Sequence, residues 1–287
     1  MPDTTRRNFG RSMGLVAALL PAFAGIVAAG GLAGQAIAAE ASYEGKAVAV
    51  GHGTARVVIR TDAKGEPATV AVMLSRGALD GLPAELNPKN LPEGEWEYAL
   101  GMPAKGPRTG YTHVVIDWNP YGHPPPDVYT VPHFDFHFYM MSSAERAKVA
   151  FPGGPADPAA QAPAPSLLAA GYQVVPETAV PKMGVHAIDV TAPEFHGKPF
   201  TATFIYGYYQ GRLTFVEPMV TRAFLQTKPD FTSPVPAPAA YSLPGHYPSR
   251  YSVRYDAAKK AYFLELGGLK PWTGKADAQS DGGKEPG

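Results

Sequence analysis

The chain has 287 residues with 25 basic and 25 acidic groups, so it carries no basic footprint for nucleic acid. It has no Cys, which excludes disulfides and thiolate ligands and leaves His, Asp, Glu and Met as metal donors. With 31 Gly, 31 Pro, 11% aromatic and only 17% charged residues, the composition points to many short strands joined by turns.

Residues 1–38 read as an export signal. Thr5-Arg6-Arg7-Asn8-Phe9 resembles the twin-arginine signature, an apolar run follows from Met13 to about Gly34, and Ala36-Ile37-Ala38 offers a small-residue cleavage site. An uncleaved membrane anchor is the alternative, but Pro21 and glycines at 14, 25, 30, 31 and 34 make a poor membrane helix. Cleavage removes Asp3, Arg6, Arg7 and Arg11 and leaves 22 basic and 24 acidic residues, a charge near −2. The expected product is periplasmic or secreted, without a stable membrane anchor, and has the twin-arginine export machinery as a partner. That route exports folded proteins, often with a cofactor already loaded, which suits a metal site.

From Ala39 the pattern is strand-like. Ala47–Val50, Ala55–Arg60 and Thr69–Leu74 read as strands, and Asp62-Ala63-Lys64-Gly65 suits a hairpin turn between the last two. Residues 76–93 read as a loop with at most a short helix. Trp96–Leu100 and Tyr111–Trp118 are further strands. Asn119 to Val131 is a loop stiffened by Pro124, Pro125 and Pro126. It delivers the chain into Pro132-His133-Phe134-Asp135-Phe136-His137-Phe138-Tyr139, where period 2 places three Phe on one face and His133, Asp135 and His137 on the other. Ser142 and Glu145 form a capping-box pattern for a short helix. Residues 151–165 read as an exposed Pro/Ala/Gly excursion. Phe200–Tyr206 and Arg212–Glu217 read as a hairpin around Gly207–Gly211, residues 229–248 as a Pro-rich loop, and Tyr251–Tyr255 with Tyr262–Leu266 as a last hairpin. The expectation is all-β: one antiparallel β-barrel or barrel-like sandwich over 39–272, with long Pro-rich loops, one or two short helices, and a disordered tail over 273–287.

The polar face of residues 133–137 is the candidate site. Strand neighbours two apart are about 7 Å apart and those four apart about 13 Å, so His133 and His137 cannot hold one small ion unaided. His186, in Met183-Gly184-Val185-His186, and Glu217, on the face of Leu213 and Phe215, can supply more donors, and His123 can reach over the rim. The metal ligands expected are therefore His133, His137, His186 and Glu217, with Asp135 and His123 as alternatives and Asp135 also a group that could orient a ligand. The mixed N/O set suits Zn, Fe, Mn or Cu. Either His186 or Glu217 alone is also readable as a hydrogen-bonded core group. His52, His113, His196 and His246 read as loop or surface. The Tyr206-Gly207-Tyr208-Tyr209 cluster suits a pocket lining or strand packing equally. No phosphate loop, Gly-x-Ser-x-Gly elbow or His-Glu-x-x-His motif is present.

The blocks Asp117-Trp118-Asn119-Pro120, Gly122-His123-Pro124-Pro125, Pro132 to Tyr139, Met183-Gly184-Val185-His186 and Glu217-Pro218-Met219 resemble an uncharacterised bacterial family of exported β-rich proteins. The resemblance implies an all-β, barrel-like domain with His133, His137, His186 and Glu217 as metal-site candidates, and implies no activity. Two classes of function follow. One is an exported metal-binding protein, with hydrolase or lyase chemistry if Asp135 or Glu217 accepts a proton from metal-bound water. The other is a non-catalytic periplasmic protein that binds a small ligand, or a homo-oligomer of the envelope-stress kind.

Overall fold

The computed structural model describes residues 40–274. The export segment over 1–38, the start at Ala39 and the tail from Lys275 to Gly287 lie outside the described residues. Within them the chain runs through β1 (Ser42–Glu44), β2 (Val48–Val50), β3 (Gly53–Thr61), β4 (Pro67–Ser75), β5 (Trp96–Gly101), β6 (His113–Asn119), β7 (His133–Tyr139) and a short helix α1 (Ser143–Arg146). It continues through β8 (Tyr172–Val180), β9 (Gly184–Asp189), β10 (Ala202–Tyr209), β11 (Arg212–Thr221), the helix α2 (Arg222–Gln226), β12 (Asp230–Pro234), β13 (Gly245–Tyr247), β14 (Arg250–Asp256), β15 (Ala261–Gly267) and β16 (Lys270–Trp272). No helix among the described residues is long and apolar enough to cross a membrane.

Two seven-stranded antiparallel sheets result. The first has the order β1-β3-β4-β15-β14-β12 with β2 against β3, and the second the order β5-β6-β7-β11-β10-β9-β8. The second sheet is continuous in sequence, while the first is assembled from strands before and after it and joined by the β4–β15 pairing. Neither sheet closes on itself, so the fold is the barrel-like sandwich and not a closed barrel.

Alternation explains how the sheets meet. Phe134, Phe136 and Phe138 are fully buried and join Val114, Ile116, Val57, Val72, Val253 and Leu264 in one core fed by both sheets. Each phenyl contributes about 2–3 kcal/mol by leaving water. The opposite face of the second sheet is also covered. Val180, Met183, Phe215 and Tyr139 form one apolar patch there, and Val128, Tyr129, Phe195, Phe200, Ile205 and Met219 form another. The cover comes from the 120–131 loop and from the chain on either side of β9.

Several local expectations are met. The β3–β4 hairpin turns at Gly65, with Asp62 Oδ1 accepting from Lys64 N and Glu66 N. The capping box on α1 has both of its hydrogen bonds.

Others are corrected. β10 continues through Gly207, and the turn is Gln210-Gly211, both with positive φ as a two-residue hairpin requires. Gly207 is needed because a Cβ there would lie 2.1 Å from the Phe215 ring. A register shift at Gly207/Tyr208 places Leu213 in the core between the sheets, opposite to Phe215 and Glu217. The 151–165 excursion is not wholly exposed: Ala159 and Ala160 are buried and Ala159 O accepts from Gln210 N. His113 is not a surface residue; it is buried and stacked on Tyr139 with ring centroids 4.8 Å apart. Tyr206 and Tyr208 serve packing, with their hydroxyls donating to Pro236 O and Leu167 O.

Candidate metal centre

β7 is an inner strand, with β6 on one side and β11 on the other. Its polar face is held in register opposite Asn119, Asp117 and Val115 of β6 and opposite Thr221 and Met219 of β11. His133, Asp135 and His137 are 0–4% exposed, as buried as the Phe residues between them.

The donors fall into two groups. His137, His186 and Glu217 make an enclosed group on β7, β9 and β11; His123, His133 and Asp135 make a rim group on the loop and β7. In each, one donor atom per residue lies within 4.8 Å of the others. Glu217 Oε2 is 3.5 Å from His137 Nε2 and 3.6 Å from His186 Nε2. Asp135 Oδ1 is 3.1 Å from His133 Nε2, and Oδ2 is 3.4 Å from His123 Nε2. Two donors bound to one tetrahedral ion at about 2.0–2.1 Å stand about 3.3 Å apart, so these separations are ligand-to-ligand edges.

The surrounding contacts aim the donors. His133 Nδ1 lies 2.7 Å from Val131 O, His186 Nδ1 2.9 Å from Thr178 O, and His123 Nδ1 2.7 Å from Pro124 O. A carbonyl can only accept, so each neutral ring carries its proton on Nδ1 and offers the Nε2 lone pair to its group. His137 turns Nδ1 to Asp117 Oδ2 at 3.1 Å and Nε2 to Glu217. Asn119 Nδ2 donates to Asp135 Oδ2 at 2.7 Å. Phe215, lying over Gly207, stands 4.7 Å from the His137 ring and 5.4 Å from that of His186, and holds the two apart. Imidazoles oriented by carbonyls or carboxylates at the far nitrogen are the usual support of metal ligands.

Several of these atoms have no hydrogen-bond partner although they are buried: both oxygens of Asp117, both ring nitrogens of His137, His133 Nε2, Asp135 Oδ1 and Glu217 Oε2. A buried polar atom left unpaired costs about 1–3 kcal/mol, so such a concentration is expensive unless a cation completes it.

Electrostatics separate the groups. Burial lowers His137 to about 3, and burial, then His137, lowers His186 to about 4. Burial, then Asp135 and Asp117, pushes Glu217 well above the usual carboxylate range. Burial thus favours the neutral form of both rings and of the carboxyl in the enclosed group. In the rim group burial opposes ionisation of Asp135, but His133 and His123 outweigh it and hold that carboxyl well below its usual range. Burial likewise works against charge on His123, and Asp135 overrides it and raises the imidazole.

Of the six residues proposed from sequence, the fold brings His137, His186 and Glu217 together and places His133 instead with His123 and Asp135. Sequence reasoning gave no site role to Asp117 or Asn119. The signal was the alternation His113, Val115, Asp117, Asn119, which puts three polar groups on the face that meets β7.

Both groups can accommodate a metal ion on donor chemistry and spacing. A family model described as TTHB210-like, hypothetical protein TTHB210, matches residues 62–118. No curated protein and no solved structure matches the chain. The chain is therefore similar, over β4 to β6, to an uncharacterised family, and the match stops short of all six candidate donors.

Proposed function

We propose that this chain is an exported metal-binding β-sandwich protein in which His137 Nε2, His186 Nε2 and a Glu217 oxygen hold a divalent transition-metal ion. The observation that carries the reading is Glu217: a carboxyl 2% exposed whose titratable neighbours within 4 Å, among the described residues, are two buried imidazoles that each turn Nε2 toward it. A cation resolves what the protein atoms leave unpaired. The N/O set accepts Zn, Fe, Mn or Cu, and edges near 3.5 Å accord with tetrahedral Zn²⁺.

Depth favours a structural or stored ion here. The three donor side chains are at most 11% exposed, so a substrate does not reach them, and Glu217 is a ligand and not a proton acceptor. Small-ligand capture has less support, because the space between the sheets is filled by the aromatic and aliphatic core. Export rests on the Thr5-Arg6-Arg7-Asn8-Phe9 pattern; retention of an Arg6→Lys, Arg7→Lys variant in the cytoplasm is the expected outcome of cell fractionation.

Elemental analysis of protein purified after export, and again after chelation and reloading, tests the metal. A stoichiometric ion that disappears in His186→Ala is expected. Absence of metal before and after reloading with each candidate ion would sink the reading.

A further inference from the structure

We infer that His123, His133 and Asp135 form a second, separate metal site at the rim, whose ion keeps an open position for water or a small anion. This goes beyond the enclosed centre and does not need that centre to be filled.

Separateness follows from the strand. His133 and His137 lie four residues apart on one β-strand, about 13 Å, too far for the two rings to share an ion. Each ring instead meets its own carboxylate and its own second imidazole.

An ion pair between His133 and Asp135 does not account for the geometry. Nε2 and Oδ1 stand 3.1 Å apart, with His133 fully buried and the Asp135 side chain 6% exposed, yet neither atom has a hydrogen-bond partner, and with the ring proton on Nδ1 toward Val131 O the two face each other as lone-pair donors. Two lone-pair donors held this close with no proton between them are what a shared ion draws together. His123 Nε2 stands 3.4 Å from the other oxygen, Oδ2, which also accepts from Asn119 Nδ2.

The third ligand is delivered by a braced loop. Gly122 has φ +73°, and a Cβ there would fall 2.0 Å from Tyr129 O, which also accepts from His123 N at 3.2 Å. Tyr129 stands edge-on to the His123 ring and Phe200 to that of His133, at 5.9 and 5.4 Å. The loop is therefore shaped before any ion arrives, so little ordering entropy opposes binding.

Openness follows from exposure. His133 and Asp135 are 0% and 6% exposed, so the site meets solvent on the His123 side, whose side chain is 33% exposed against at most 11% for any enclosed donor. Three protein ligands with one side toward solvent is the arrangement that leaves a metal free to bind and activate water. The donor set fits Zn²⁺, Co²⁺, Fe²⁺ or Mn²⁺.

The test strips the full-length protein with chelator, reloads it with Co²⁺, and follows stoichiometry by elemental analysis and coordination by visible absorption. Wild type is expected to take up two equivalents. His123→Ala and Asp135→Asn should each lose one, and His186→Ala the other. Azide should shift the Co²⁺ bands of His186→Ala, which keeps only the rim ion, and leave those of His123→Ala unchanged. His123→Gln, on an exposed loop, serves as a second variant, with circular dichroism as the folding check. One equivalent lost only with His186→Ala would overturn the rim site and leave the enclosed one standing. One equivalent lost only with the rim variants would do the reverse. No uptake in any form overturns both, and a rim ion indifferent to azide overturns the open position.

Discussion

Glu265 and Glu217 are both buried glutamates on inner strands, one on the outer face of each sheet, and they are treated in opposite ways. Glu265, 6% exposed, accepts from Arg60, from Arg254 Nη2 at 2.8 Å and from Ser252 Oγ at 3.2 Å. Burial works against its charge, but Arg60 and Arg254 prevail and lower its carboxyl. Glu217 has no guanidinium or ammonium within 4 Å among the described residues, and burial raises it instead. Where this fold needs an acid only to join strands, it supplies the cations from neighbouring strands. Where it supplies imidazoles with free Nε2 lone pairs, the proposed counter-charge is a metal ion from outside the polypeptide.

The largest effect expected from that contrast is on stability in the presence of metal. In a His123→Ala background, which silences the rim, Zn²⁺ at a thousand times its Kd should stabilise the protein by about 4 kcal/mol. Chemical denaturation with and without chelator measures it. Glu217→Gln should abolish this gain while leaving the metal-free protein as stable or slightly more so, because a buried acid is replaced by a neutral amide. A metal-free Glu217→Gln protein that is clearly destabilised would mean that the carboxyl is already satisfied, and the contrast with Glu265 would fail.

Next comes the support behind His137. Asp117 is fully buried and lies 3.1 Å from His137 Nδ1, on the side of the ring away from Glu217, where it can orient the ring once a metal occupies Nε2. Asp117→Asn should weaken metal binding at the enclosed centre about 10–100-fold, or about 1.4–2.7 kcal/mol, with unchanged stoichiometry at saturation. A competition titration against a chelator of known affinity reads this. Unchanged affinity would remove Asp117 from the site.

On the other sheet the expected effect is smaller and blind to metal. Glu265→Ala removes the acceptor for two arginines that are one-third and two-fifths exposed and can turn to water. A loss of about 1–2 kcal/mol is expected, equal with and without chelator. A metal-dependent loss would show that the two sheets are not independent in the way the contrast assumes.

Much of the fold was legible because the second sheet buries both faces with strict alternation. Residues 133–139 reveal their strand and its two faces without further context, and the same residues carry three of the six candidate donors. Less legible was anything set by a neighbour. Gly207 and Pro218 both read as strand ends, yet β10 passes through the first to make room for Phe215, and β11 passes through the second to Thr221. β8 was missed, since Pro176 and the polar Gln173, Glu177 and Thr178 hide its pairing with β9. For the site, strand spacing already separated His133 from His137. Which carboxylate each imidazole meets depends on the β7–β11 and β9–β10 registers, and no local pattern contains them.

A third buried glutamate offers the finest test. Glu95, 6% exposed, is met by the Asn90 side-chain amide and not by a cation. Burial first, and Asp117 next, raise its carboxyl from 4.5 to about 7. The sign follows from linkage: a folded value above the unfolded one favours the neutral form in the fold, so the stabilisation is complete below about pH 4.5 and is lost as pH rises through about 7. Glu95→Gln keeps the neutral shape at every pH. Relative to that variant, wild type should lose about 2 kcal/mol between pH 5 and 8, read from denaturation midpoints across the range. The pattern would then be graded by partner: an acid met by arginines keeps its charge, one met by an amide gives it up near neutrality, and one met by imidazoles awaits a metal. A flat difference between wild type and Glu95→Gln would show that burial alone does not set these carboxyls apart, and would return the weight of the argument to the geometry around Glu217.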